Sequence, residues 1–558
     1  MENRRFILIA LTGVVLFFLY QAWQKDYGNR PPETPVAETA QAPQGNAAAA
    51  AASVADTGKP NPADASAPAA TATAQTITVD TDVYVAEIST QGGEIKRLEL
   101  KHYPATKDKA EPMSLLDDRN GRLFVLQSGL VDLQQPLTSD QTIYSAAQTS
   151  YQLAQGQDQL DVTLTYEGAD GLQAQKVYHF HRDSYEIELS QTLKNGDAER
   201  TVSPYVRLVR TDYKPDGEPR FSHTFTGVGF YQQSEPGSDS YKFKKTALDK
   251  LDKDAFETHQ TGGWITILQH YFVAAIIPDQ KEALTYSAKP REGGGYKAQM
   301  VGAGIKLAPG ETHAFDTKLY IGPKLQDRIE DVAPRFDLTL DYGILTPIAK
   351  PLFIVLKFFH KLTGNWGFAI ILLTISVKLA LYKLSEAQYR SMAKMKVFGP
   401  KIQDLRERYA DDRERLQKAM MDLYKKEGFN PLAGCWPMLV QFPIFISLYW
   451  VLLESVELRQ APFMLWLQDL SAPDPFYVLP VLYGATMWLQ QKLSGNQTMD
   501  PTQQKMMQMM PIFLTAFFTF FQSGLVLYWV VNGMISIAQQ WYITRKFAPA
   551  PTTATAKR

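Results

Sequence analysis

The sequence predicts a multi-domain membrane protein with six transmembrane α-helices, a periplasmic antiparallel β-sandwich and a cytoplasmic helical hairpin. Three observations predict it. Mean hydropathy is slightly negative although several segments are strongly apolar, which joins a substantial soluble part to a membrane part. Between Ile77 and about Tyr320, apolar residues recur with a period of two. Beyond Asp341 they gather into long runs near 365–384, 432–455, 475–491 and 508–543. With 558 residues the chain has room for two or more domains. A net charge of −1 points to neither nucleic acid nor an acidic partner. Cys435 is the only cysteine, which excludes an intramolecular disulfide and a cysteine metal cluster.

Taken in order, residues 1–24 place Arg4 and Arg5 before an apolar run from Phe6 to Tyr20, with Tyr20 and Trp23 as an interfacial belt. The run is short, so a cleaved signal peptide is the rival reading. The nearest small-x-small site, around Ala37 to Ala42, is far downstream, which favours an uncleaved anchor with a cytoplasmic N-terminus. Residues 25–76 are rich in Ala, Pro and Thr and offer little to bury, so they are expected to form a disordered tether. In 77–335, Leu160, Val162, Leu164 and Tyr166 alternate with polar residues before a Gly-bearing turn. Tyr185, Ile187, Leu189 and Leu193 share one parity and end at Asn195-Gly196. Such runs, punctuated by turn signals, make a large β-sandwich.

At 100° per residue, Lys350, Lys357 and Lys361 in 341–362 share a face opposite Phe353 and Phe359. That pattern suits a helix lying on the outer leaflet; one long broken span over 343–384 is the alternative. The run 508–543 exceeds one span of about 20 residues, and Gln522-Ser523-Gly524 divides it into two helices. Segment 386–430 carries many Lys and Arg, whereas 455–475 has only Arg459, so the former is expected inside and the latter outside. Within 385–430, Tyr409-Ala410 ends one helix and Asp411 with Glu414 can cap the next. Met392, Met395, Met420 and Met421 give that hairpin a flexible apolar stripe.

The strongest functional signal is Lys378 in "LLTISVKLALYKL", with apolar residues on both sides and Thr374 one turn earlier. Its stem can snorkel toward the headgroups near Lys383. Yet Gln441, Asn532, Gln539 and Gln540 also interrupt apolar segments, and a shared wet cavity satisfies them all. Hydrogen bonding between helices is the competing use of the glutamines. There is no P-loop, Gly-x-Ser-x-Gly or His-Glu-x-x-His motif. His179 and His181 share a strand face without a third ligand, and Glu454 and Glu457, at a span's outer end, are expected to be solvated. A transporter would show inverted repeats and paired mid-membrane charges, and a tethered sugar-processing enzyme would show convergent carboxylates or histidines.

Three long stretches, beginning "GNWGFAIILLTISVKLALYKL", "NPLAGCWPMLVQFPIF" and "DPTQQKMMQMMPIF", resemble the YidC/Oxa family of membrane protein insertases in its Gram-negative form. The similarity runs nearly continuously from about 341 to 545. It implies a five-helix insertase core over 363–545, preceded by the anchor and the β-sandwich and followed by a short tail, 546–558. The implied activity is insertion and assisted folding of inner-membrane proteins, without a cofactor, alone or beside the Sec translocon. Implied partners are nascent membrane proteins, Sec components, membrane lipids, and, through the cytoplasmic loops, the ribosome and the signal-recognition receptor. By position, Lys378 is the charged residue of a hydrophilic groove, where many relatives have arginine, and Thr374, Gln441, Trp529 and Asn532 line it. Lysine keeps the charge but loses the planar fork for bidentate carboxylate recognition. Trp529 stands where relatives carry tyrosine. Phe445, Leu448, Phe513 and Phe517 match a greasy slide that contacts the client.

Overall fold

The computed structural model describes residues 74–106, 109–133, 135–168, 171–213, 225–235, 237–340, 342–409, 412–426, 436–494 and 501–547. The expected anchor, nearly all of the tether and of the tail, Asp411 and Cys435 lie outside these residues.

Strand structure begins at Thr76 and continues to Pro323. Among the described residues the strands form two sheets, one of twelve and one of nine. Strands Gln159–Glu167 and Gln173–His181 pair antiparallel, Tyr166 opposite Ala174, across the expected Gly-bearing turn. Their alternation is the physical consequence of a pleat with one dry face: Val162 and Leu164 are buried, while Asp161 and Thr165 are exposed. Asn195-Gly196, by contrast, does not close a hairpin. The strand before it, Glu186–Lys194, belongs to the nine-stranded sheet, and the strand after it, Arg200–Arg210, to the other. The Asn195 side chain secures this crossing by donating to the carbonyls of Ala198 (2.7 Å) and Leu307 (2.9 Å). His179 is held by Asp161 at 2.7 Å, and the described residues contain no metal-binding cluster of His, Cys, Asp or Glu.

Trp264 ties the sandwich to the segment that leads into the helices. It is fully buried, its indole donates to Pro334 O at 2.9 Å, and its ring meets Phe336 edge-on at 4.9 Å.

Among the described residues the C-terminal part holds eight longer helices: α1 (Thr346–Thr363), α2 (Trp366–Ala380), α3 (Tyr382–Arg408), α4 (Arg413–Lys426), α5 (Trp436–Glu454), α6 (Val478–Ser494), α7 (Pro501–Phe518) and α8 (Ser523–Phe547). Gly364, at φ 65°, ends α1, and its N–H donates to His360 O at 2.7 Å. A left-handed residue there costs least when it is glycine. Asn365 then caps α2, accepting from Gly367 N at 2.9 Å and Phe368 N at 3.2 Å. Helices α2 and α3 bend by 65° about Leu381. The expected division of 508–543 falls between Phe518 and Ser523. The described cap of α4 comes from Asp412, whose side chain accepts from Arg415 N at 3.0 Å, one residue beyond the expected Asp411.

Two expectations bear on this region, of which the second is corrected. Among the described residues, Gly343–Thr363 alone is long and apolar enough by itself to cross a membrane, and it is the segment expected to lie on the surface. The others fall short for physical reasons: the 65° bend divides the first, Leu439–Glu454 and Val478–Ser494 are short, and Gln, Asn and Lys dilute the rest. The basic face of α1 also does not meet water alone. Lys350 pairs with Glu330 (2.7 Å) and Asp337 (2.8 Å), and Lys357 with Asp327, while Ile354, Phe358 and Leu362 stay exposed.

Secondly, Glu454 and Glu457 are not solvated. Glu454 is 7% exposed and pairs with Lys324 at 3.3 Å. Glu457 is half-buried, accepts from Gln326 N at 3.1 Å, and the desolvation of its carboxyl pushes it up to about 7. The cause is the β-rich domain, which sits directly on the end of α5.

Candidate functional site

Lys378 occupies the last turn of α2, where a cation complements the exposed carbonyls of the helix end. It is 5% exposed, and its Nζ donates to Ser536 Oγ on α8 at 2.9 Å. Ser536 Oγ in turn donates to Asn532 O at 2.7 Å. Among the described residues no carboxylate forms an ion pair with Lys378. Its charge is therefore buried beside hydroxyls rather than neutralised, a costly arrangement unless a polar space adjoins it.

That space exists. A cavity of about 350 Å³ is bounded by Lys378, by Ser385, Gln388 and Tyr389 on α3, by Gln441 and Phe445 on α5, by Thr486 and Gln490 on α6, and by Trp529, Asn532 and Ser536 on α8. The bend at Leu381 lies between Lys378 on α2 and Ser385 and Tyr389 on α3, so the cavity borders the joint between the two helices. Across the cavity, Gln441 Nε2 donates to Asn532 Oδ1 at 3.2 Å. The buried indole N–H of Trp529 has no hydrogen-bond partner among the described residues.

Of the expected groove residues, Lys378, Gln441, Trp529 and Asn532 come together. Thr374 does not join them: it is 1% exposed, and its hydroxyl donates to Ile370 O of its own helix at 2.7 Å. Gln540 serves a different purpose, donating to Ser494 Oγ at 3.0 Å and so tying α8 to α6. Ser536 is the residue that sequence reasoning missed. The signal was the step of four along α8, Asn532, Ser536, Gln540, which puts all three on one helical face.

The slide residues divide similarly. Phe445 borders the cavity and contacts the Trp529 ring at 4.4 Å. Trp529 meets Phe518 at 5.8 Å, Phe518 meets Phe517 at 5.6 Å, and Phe517 meets Phe513 at 6.3 Å. Phe513 and Phe517 are strongly exposed, so an aromatic path leads from the polar cavity to the outer face of α7. Leu448 is 1% exposed and packs inside the helical core, away from any surface a client could touch.

Chemically, the arrangement offers one buried cation, amide and hydroxyl hydrogen-bonding groups, an indole donor and an apolar exit. Among the described residues it has no nucleophile–base pair poised for covalent chemistry; it suits reversible binding of a short polar segment.

Comparison with known proteins agrees with this division of the chain. The family described as "YidC periplasmic domain" matches residues 76–355, and the family described as "60Kd inner membrane protein" matches residues 358–550. The membrane protein insertase YidC of Nitrosococcus oceani is 42% identical over 549 residues, covering 98% of this chain and 99% of its own. That of Nitrosospira multiformis is 44% identical over 563 residues, covering 98% and 97%. That of Pseudomonas entomophila is 41% identical over 566 residues and covers both chains completely, at 100% each. With matches of this extent on both halves, the chain belongs to the YidC family of membrane protein insertases.

Proposed function

We propose that this chain inserts proteins into the bacterial inner membrane and helps them fold there, alone or beside the Sec translocon. Insertion moves a polypeptide between phases without covalent change, so the chain is not an enzyme. The observation that carries the reading is Lys378, buried and without a carboxylate partner among the described residues, on the wall of a polar cavity with Gln441 and Asn532. A client's short polar segment enters the cavity, where low dielectric strengthens its attraction to the ammonium. Its apolar helix leaves along Phe445, Phe517 and Phe513, and the membrane potential and the client's own hydrophobicity complete release of the tail.

In this reading the N-terminal anchor and five helical segments of the core cross the membrane, with α1 on the outer surface. Helices α3 and α4 form the cytoplasmic hairpin, through which the ribosome and the signal-recognition receptor would be met, and both termini are cytoplasmic. The paired acids around Lys350 and Lys357, with Ile354, Phe358 and Leu362 exposed, support a surface placement: the charges face protein and the apolar side faces acyl chains. Complementation of depleted cells tests the groove. Lys378→Arg should sustain insertion of clients with charged tails, and Lys378→Ala should not. Full activity of both would overturn the reading.

A further inference from the structure

The outer end of α5 is finished by residues that lie far away in sequence. An α-helix leaves its last four carbonyls without intrahelical donors, and a carboxylate at that end is opposed by the helix dipole. Both problems arise at Leu453 and Glu454, and both are solved by the β-rich domain. His270, at the tip of the hairpin between strands Trp264–Leu268 and Phe272–Ile277, donates from Nε2 to Leu453 O at 2.9 Å. Lys324, just after the last strand, places its Nζ 3.3 Å from Glu454 Oε2. Gln326 adds a hydrogen bond to Ser455 Oγ at 2.8 Å. The Lys324 and Glu454 side chains are only 3% and 9% exposed, so water screens this pair little.

We propose that His270 and Lys324 are positioning residues for the insertion groove. They cap and neutralise the end of α5, and so fix the groove wall that carries Phe445 and Gln441. This rests on the groove reading above. The helix is the mechanical link: from Glu454 back to Phe445 is nine residues, about 14 Å of continuous α-helix. Burial holds the His270 imidazole far below its ordinary range, at about 3, so it stays neutral and works as a donor to the carbonyl. Lys324 supplies the compensating charge.

The test uses the full-length chain in lipid nanodiscs, with Cys435 replaced by serine. Spin labels at Glu188 on the β-rich domain and Leu439 on α5, both exposed positions, report the distance between domain and helix. Lys324→Met, which removes the buried cation facing Glu454, should broaden that distance distribution and lower insertion of a charged-tail client about fivefold or more. Lys324→Met with Glu454→Leu removes both charges and should restore a narrow distribution and most of the activity. His270→Ala should broaden the distribution, and His270→Gln, which keeps a donor, should narrow it again. A narrow distribution and full insertion in Lys324→Met would overturn the proposal. Were Lys324→Met not to accumulate, a broad distribution in the double variant would overturn it instead. Failure of the groove reading looks different: the distance distributions would still broaden and narrow in this pattern, yet Lys378→Ala would insert clients normally.

Discussion

Two of the lysines buried among the described residues, Lys176 and Lys378, are buried in opposite ways. Lys176, in the β-rich domain, is 1% exposed and donates to Gly92 O at 2.6 Å and Ser128 O at 2.7 Å. Its ammonium lies 5.1 Å from the centre of the Tyr144 ring, and Glu94 and Asp140 act on it electrostatically. Every direction around it is filled. Lys378 has one serine hydroxyl and otherwise faces a cavity of about 350 Å³. A saturated buried charge holds a structure together, because removing it strands its partners. A buried charge on the wall of a cavity is available to a visitor. The difference between architecture and function lies in the partners, not in the residue type.

Substituting both lysines with methionine breaks or sharpens this comparison. Lys176→Met should lower the stability of the β-rich domain by about 3 kcal/mol, since two carbonyls lose a charged donor. Urea unfolding followed by tryptophan fluorescence measures it. Lys378→Met should leave the thermal midpoint of the helical region unchanged or raised, while insertion of charged-tail clients falls about tenfold. Equal destabilisation by both changes would erase the distinction.

Next in size is a pH effect confined to the first lysine. Burial depresses the Lys176 ammonium to about 7 from 10.5. The unfolded chain therefore binds more protons between those values, and stability must rise as pH increases through that window. Between pH 7 and 9.5 the rise should reach about 3 kcal/mol in the parent chain and vanish in Lys176→Met. Glu94 contributes with the opposite sign at lower pH: burial raises it from 4.5 to about 7, so its contribution is lost as pH climbs through that range. A stability minimum near neutrality is the combined expectation, read from urea midpoints across pH. The smallest effect belongs to Ser536→Ala, which removes the hydroxyl that Lys378 meets among the described residues. It should change client insertion by about fivefold or less, matching a hydrogen bond of about 1 kcal/mol. A loss as large as that of Lys378→Ala would mean that Ser536, rather than the lysine, is the principal contact.

Much of this was legible from residues alone, because the rule that polar groups in apolar helices need company is strict. It singles out Lys378, Gln441 and Asn532, and the period-two pattern marks the sandwich from Ile77 onward, one residue from the first strand's start at Thr76. What escaped was long-range. Nothing local to "LLESVELRQ" says that Glu454 meets Lys324, 130 residues earlier, so solvation was the natural expectation. Thr374 looked available because hydroxyls one turn from a charge often are, yet its own helix satisfies it. Leu448 shares the helix of Phe445, but three residues on it has turned inward toward the core.

The central claim is that Lys378 holds a passing polar segment while Phe445 lies alongside it. The most direct measurement is photocrosslinking from position 445 to a stalled nascent membrane protein with a charged tail, compared in parent and Lys378→Ala backgrounds. The account predicts a strong adduct in the parent, and one reduced several-fold when the charge is removed. No adduct from position 445, or the same yield in both backgrounds, would contradict it.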